Sequence, residues 1–162
     1  MFLALAGAAA VGCAHKKTPT SSSAPVIATL ERTACFGTCP AYEVKVHADG
    51  FVVYEGKDFV KLKGRHTAQV PPGKIAALAA AFESAGYWEL HDYDDQQVVD
   101  NAWANTSFTH KGKSKTVRHY LSDHSAPQSL ADLEGKIDDI LDTSRWVGTP
   151  EERDKLERDW MK

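Results

Sequence analysis

Cys35 and Cys39 are the residues of this chain whose type and spacing carry the most chemistry. They lie in Thr33-Ala34-Cys35-Phe36-Gly37-Thr38-Cys39-Pro40-Ala41-Tyr42, with three residues between them. A pair this close can close a small disulfide ring, in which Gly37 gives the turn its backbone freedom and Pro40 stiffens the exit. So short a ring removes little chain entropy, and the loop-closure relation extended to it gives roughly 2 kcal/mol. The same pair as thiolates could instead be a redox couple or a clamp for a soft ion such as Cu(I) or Zn(II). His110 and His119 could complete such a soft-metal site, because they fall on paired strands and share a face.

The spacing C-x3-C followed by Pro is similar to that of copper-delivering thioredoxin-fold proteins, which place the second Cys at the start of a helix, where the dipole lowers its pKa. Here Tyr42, Val44 and Val46 alternate with Glu43, Lys45 and His47, a strand period that offers no helix N-terminus. The expectation is a structural Cys35–Cys39 disulfide and no bound cofactor. Thiol redox or Cu(I) handling is the alternative.

Other reactive patterns are thin. Asp92, Asp94, Asp95 and Asp100 form an acidic loop without the spacing or the essential Gly of an EF-hand, so a solvated loop is expected. There is no G-x-S-x-G, P-loop, G-x-G-x-x-G or H-E-x-x-H in the chain. Tyr87, Trp88, Tyr93 and Trp103 gather around one segment and are expected to pack as core and lid rather than line a groove. A net charge of -3, with no arginine cluster, gives no footprint for nucleic acid.

The third cysteine, Cys13, follows eleven small or apolar residues after Met1, too few to span a bilayer. Ala10-Val11-Gly12-Cys13 resembles the lipobox of bacterial lipoproteins, although no Lys or Arg follows Met1. That resemblance implies a signal peptide over 1–12 and lipidation of Cys13. Residues 13–25 are polar and rich in Ser, Thr and Pro, the composition of a flexible tether. Acyl chains add roughly 0.8 kcal/mol per buried methylene, so they hold a protein at a membrane. The expected address is the bacterial envelope, lipid-anchored, at the outer membrane facing the periplasm. An oxidising envelope favours the disulfide, and the three cysteines are then accounted for.

The elements that would position these residues read as one domain over 26–148, followed by a charged helical tail over 149–162 that opens on a Thr149/Glu152 capping box. Strands are expected at 26–33, 41–47 and 51–56, with Asp49-Gly50 turning a hairpin that pairs Val46 with Val52 and Val44 with Tyr54. Phe59 to Val70 alternates as a further strand, with Gly64 as a bulge. Pro71-Pro72 opens a helix to about Ala85. A second hairpin joins 103–110 to 115–121 through Lys111–Ser114 and sets Phe108 opposite Val117. Pro127 begins a helix carrying Leu130, Leu133, Ile137, Ile140 and Leu141. The order ββββ-α-ββ-α predicts an α+β fold, an antiparallel sheet of five to six strands with both helices on one face.

Glu31-Arg32-Thr33-x-Cys35-Phe36-Gly37-Thr38-Cys39-Pro40-x-Tyr42, with Asp49-Gly50, Tyr54-x-Gly56, Lys115-Thr116-Val117, Ile137-Asp138 and Trp146-Val147, resembles a bacterial domain-of-unknown-function family whose members are often predicted lipoproteins. The resemblance runs over about Ala28 to Val147 and implies an envelope address without an activity, substrate or cofactor. The function expected on these grounds is a non-enzymatic envelope lipoprotein, a binding or structural module with a membrane anchor and a protein or cell-wall partner.

Overall fold

The computed structural model describes residues 20–95 and 100–162. The expected signal peptide, Cys13 and the first part of the tether lie outside the described residues. Within them the chain runs β1 (Val26–Arg32), β2 (Ala41–His47), β3 (Phe51–Asp58), β4 (Gly64–Gln69), α1 (Pro72–Ser84), β5 (Trp103–His110), β6 (Lys113–Tyr120), α2 (Gln128–Leu141), the one-turn α3 (Ser144–Val147) and α4 (Pro150–Trp160). The six strands form one antiparallel sheet in the order β4-β3-β2-β1-β5-β6. The α+β class, the antiparallel sheet and the ββββ-α-ββ-α order of elements expected from the sequence are those observed.

β1 is the centre of the sheet because it pairs with β2 on one side and β5 on the other, joining the two halves of the chain. Its inward side chains, Ala28 and Leu30, are fully buried. They meet Leu78 and Phe82 of α1 and Leu130, Leu133, Ile137 and Leu141 of α2 in one continuous core. Both long helices therefore cover the same face. The helix-free face carries Glu31, Glu43 and Glu55 directly opposite one another across three strands. Opposed like charges destabilise a sheet; Lys57 at 2.7 Å from Glu31 and Lys45 at 3.0 Å from Glu43 offset them.

Local signals explain where elements stop. Pro71 and Pro72 supply fixed φ at the start of α1. The Ala48–Gly50 turn has Gly50 in the left-handed region, and a Cβ there would meet the Val70 carbonyl oxygen at 2.4 Å. Val46 pairs with Val52 and Val44 with Tyr54, as the three-residue loop requires. α4 opens on the expected capping box, in which Thr149 and Glu152 bond each other's backbone N–H.

Two expectations are corrected. Phe59 to Lys63 is not strand: β3 continues to Asp58, and the segment turns before β4 begins at Gly64. Its backbone hydrogen bonds go to α3 instead, from Lys61 N–H to the Val147 carbonyl at 3.0 Å and from Leu62 N–H to that of Trp146 at 2.8 Å. The second hairpin turns through Lys111-Gly112 alone, both with positive φ, the twist that suits a two-residue hairpin. Phe108 therefore faces Lys115, and Val117 faces Thr106.

Residues Thr20 to Pro25 enter beside the Ala48–Gly50 turn: Ser22 Oγ donates to Asp49 at 2.6 Å and Ala48 N–H to the Pro25 carbonyl at 2.9 Å. This is the β1 start, whereas the Cys35–Cys39 loop follows the β1 end.

Candidate functional site

Period-two alternation continues inward from Ala28 and Leu30 to Arg32, placing a guanidinium where the apolar layer of the sheet ends. Its cross-strand neighbour is Tyr42, also inward. On α2, Glu134 and Asp138 are four residues apart and face the same way, beside the Leu130–Leu133–Ile137–Leu141 stripe. The helix thus brings two carboxylates down onto Arg32 and Tyr42.

The contacts interlock. Arg32 Nη2 is 3.0 Å from Asp138 Oδ2 and its Nε 3.3 Å from the same oxygen. Nε also donates to the Tyr42 hydroxyl at 3.0 Å, and that hydroxyl donates to Asp138 Oδ1 at 2.7 Å. Thr143 Oγ1 gives Oδ1 a further bond at 2.7 Å. Glu134 stands 3.9 Å from Arg32 Nη1 and accepts from His119 Nδ1 at 2.7 Å. The chain His119–Glu134–Arg32–Asp138–Tyr42 is thus continuous.

Burial acts to lower the Arg32 pKa, but the neighbouring Tyr42, Asp138 and Glu134 outweigh it and hold the guanidinium charged well above its ordinary range. Burial first, and Asp138 second, push the Tyr42 phenol far above the ordinary tyrosine value. Burial also raises Tyr87 to about 12. An unfolded tyrosine ionises near 10. The unfolded chain therefore loses phenol protons first, and stability present below about pH 10 is lost as pH rises toward the folded values. We expect the urea midpoint to fall between about pH 9 and pH 11, and Tyr42→Phe to flatten that fall. Parallel curves for the two proteins would remove Tyr42 from the account.

Arg32, Tyr42, Asp138 and Thr143 of this network form the back of a groove of about 490 Å³ at the β1 end of the sheet. Cys39 and Pro40 form one wall, Asp139, Asp142 and Ser144 another, and Ala102, Leu121 and Val147 add apolar surface. Cys35 and Cys39 are joined in a disulfide, with their Cα atoms 5.6 Å apart. The loop they clamp is also tied to the segment before β5. Phe36 N–H bonds the Asp100 carbonyl at 3.0 Å, Thr33 N–H that of Trp103 at 3.0 Å, and Trp103 N–H returns to Thr33 Oγ1 at 2.9 Å. At its tip the Phe36 side chain is 92% exposed.

The soft-metal set does not assemble. His119 lies opposite Ala104 and His110 opposite Lys113, so they share a face but sit about 20 Å apart along the hairpin. His110 is 3.6 Å from Glu83 and His119 is held by Glu134. Among the described residues no group of three or more His, Cys, Asp or Glu could hold a metal ion. In the acidic loop Asp92 accepts the Arg118 N–H at 2.9 Å, and Asp95 N–H donates to Asp123 at 3.0 Å; residues 96–99 lie outside the described set. The four aromatics do not share a groove. Tyr87 and Tyr93 are buried in the core. Trp88 packs on Phe108, and Trp103 lies against Tyr120 with Arg118 above it. No helix among the described residues is long and apolar enough to cross a membrane.

An antiparallel sheet covered on one face, with a disulfide-walled groove at one end, defines an α+β domain whose distinctive residues converge on that groove. The match to the domain of unknown function DUF6438 covers residues 26–141, and the chain belongs to that family. No curated protein matches it. Arg32, Thr33, Cys39, Pro40 and Tyr42 belong to the motif on which the resemblance was drawn, and Asp138 to a further matching pair. Sequence reasoning placed them in a pattern without joining them. The signals were the inward phase of Arg32 and the four-residue step from Glu134 to Asp138.

Proposed function

We propose that this chain is a non-enzymatic binding or structural module of the bacterial envelope and that the groove is its contact surface. The observation that carries this is the saturation of the groove's polar back wall. The Asp138 carboxylate takes bonds from Tyr42, Thr143 and two Arg32 nitrogens, Nε and Nη2, while Glu134 lies between Arg32 and His119. Groups so occupied hold a shape rather than offer a free base or nucleophile. The disulfide beside them fixes the facing wall. The proposal includes lipidation at Cys13, a periplasm-facing outer-membrane address and a protein or cell-wall partner, supported by the lipobox-like Ala10–Cys13 and the polar stretch after it.

The test is capture from envelope extracts with the wild-type chain and with Leu121→Arg, which changes a groove residue 40% exposed to solvent. A component retained by the wild type and lost by the variant supports the reading; equal capture by both, or none by either, overturns it. The alternative, a thiol redox or Cu(I) protein, is separated by the cysteines in protein taken from native envelopes. A disulfide stable to the glutathione pool belongs to the structural reading, and a readily reduced pair that takes up Cu(I) stoichiometrically belongs to the alternative.

A further inference from the structure

We infer that the groove docks a linear peptide segment carrying a basic side chain beside an aliphatic one, an inference that rests on the binding-module reading above. The first reason is charge. Arg32 is the cation nearest the back wall, and it is already matched by Asp138 and Glu134 at 3.0 and 3.9 Å. Asp139 and Asp142, on the α2 wall, take no part in that exchange, and both are exposed. They sit at the C-terminal end of α2, the negative end of the helix dipole, where Arg145 bonds the Leu141 carbonyl at 3.3 Å. Arg153 also lines the groove, and its Nη1 is directed to the Gly148 carbonyl at 2.9 Å. One side of the groove is therefore negative and open to a cation.

The second reason is the apolar surface beneath. Pro40, Leu121 and Val147 are aliphatic, and the Tyr42 ring among them is 2% exposed, so the described residues that line the groove present aliphatic rather than open aromatic surface. A volume of about 490 Å³ lies within the roughly 300–1,000 Å³ of binding clefts. A cationic head on an aliphatic stem, followed by an aliphatic neighbour, meets both requirements, as Lys or Arg next to Leu, Ile or Val does.

The experiment measures fluorescence anisotropy of three labelled octapeptides against the full chain: alternating Lys/Leu, alternating Glu/Leu and alternating Lys/Ser. We expect the Lys/Leu peptide to bind best and to weaken as salt is raised. Asp139→Asn with Asp142→Asn should weaken it by about threefold to tenfold, the range of two exposed ion pairs. Asn keeps the left-handed backbone of residue 142, so the helix end survives the change. Equal or tighter binding of the Glu/Leu peptide, binding of Lys/Ser as strong as Lys/Leu, or Lys/Leu binding unchanged in the double variant overturns the inference. If no peptide binds while capture sensitive to Leu121→Arg persists, the ligand class is wrong and the module reading stands. If both fail, both readings fall.

Discussion

Replacing Asp138 with alanine is expected to destabilise the fold by about 3 kcal/mol, the low end for breaking a buried ion pair. The low end applies because Arg32 and Asp138 side chains keep 20% and 21% exposure. The change would leave the Arg32 guanidinium with the Tyr42 hydroxyl at 3.0 Å and, as its carboxylate partner, Glu134 at 3.9 Å. It would also strip the Tyr42 hydroxyl and Thr143 Oγ1 of the acceptor that both use at 2.7 Å. Asp138→Asn, which keeps an acceptor oxygen, should lose less, and Arg32→Met with Asp138→Leu should recover part of the loss by removing both charges together. Urea unfolding measures all three. A drop below about 1 kcal/mol for Asp138→Ala would place the network among ordinary surface ion pairs.

Phe82→Ala is expected to cost about 3–5 kcal/mol, because it empties space that the core cannot easily refill. Phe82 is fully buried on α1. Its ring stacks on Phe108 at 4.2 Å between centroids and meets Tyr87 edge-on at 4.8 Å. Tyr87 in turn donates its hydroxyl to the Thr106 carbonyl at 2.9 Å, so the same cluster ties the exit of α1 to β5. Denaturant unfolding should show a lowered midpoint with the slope unchanged, the sign of lost stability without a change in the unfolded state. A loss under about 1.5 kcal/mol would mean that Tyr87 and Phe108 relax into the gap.

Much of this architecture could be read from period and punctuation. Asp49-Gly50 set both the turn and the register of the first hairpin, and the Leu130–Leu141 stripe identified the face of α2. The second hairpin shows where such reading stops. A four-residue turn and the observed two-residue turn differ by two places in register, and a shift of two leaves every side chain on its own face. The pattern of inward and outward residues therefore could not choose between them; the positive φ of Lys111, a residue not marked for it, could. Phe59–Lys63 went astray for another reason. Its alternation is real, but its hydrogen-bond partners lie on α3, more than eighty residues downstream. The groove shows the same limit: Arg32, Tyr42 and Asp138 stand only as positions of the pattern that carries the family resemblance, and their meeting depends on where α2 crosses the sheet.

The entry of residues Thr20 to Pro25 beside the Ala48–Gly50 turn also fixes an orientation. β1, seven residues long, separates that point from the disulfide loop by about 20 Å. A pull on the chain at Thr20 would act at the end of β1 remote from the disulfide loop. The groove therefore lies at the opposite end of the sheet from the point where the chain enters at Thr20.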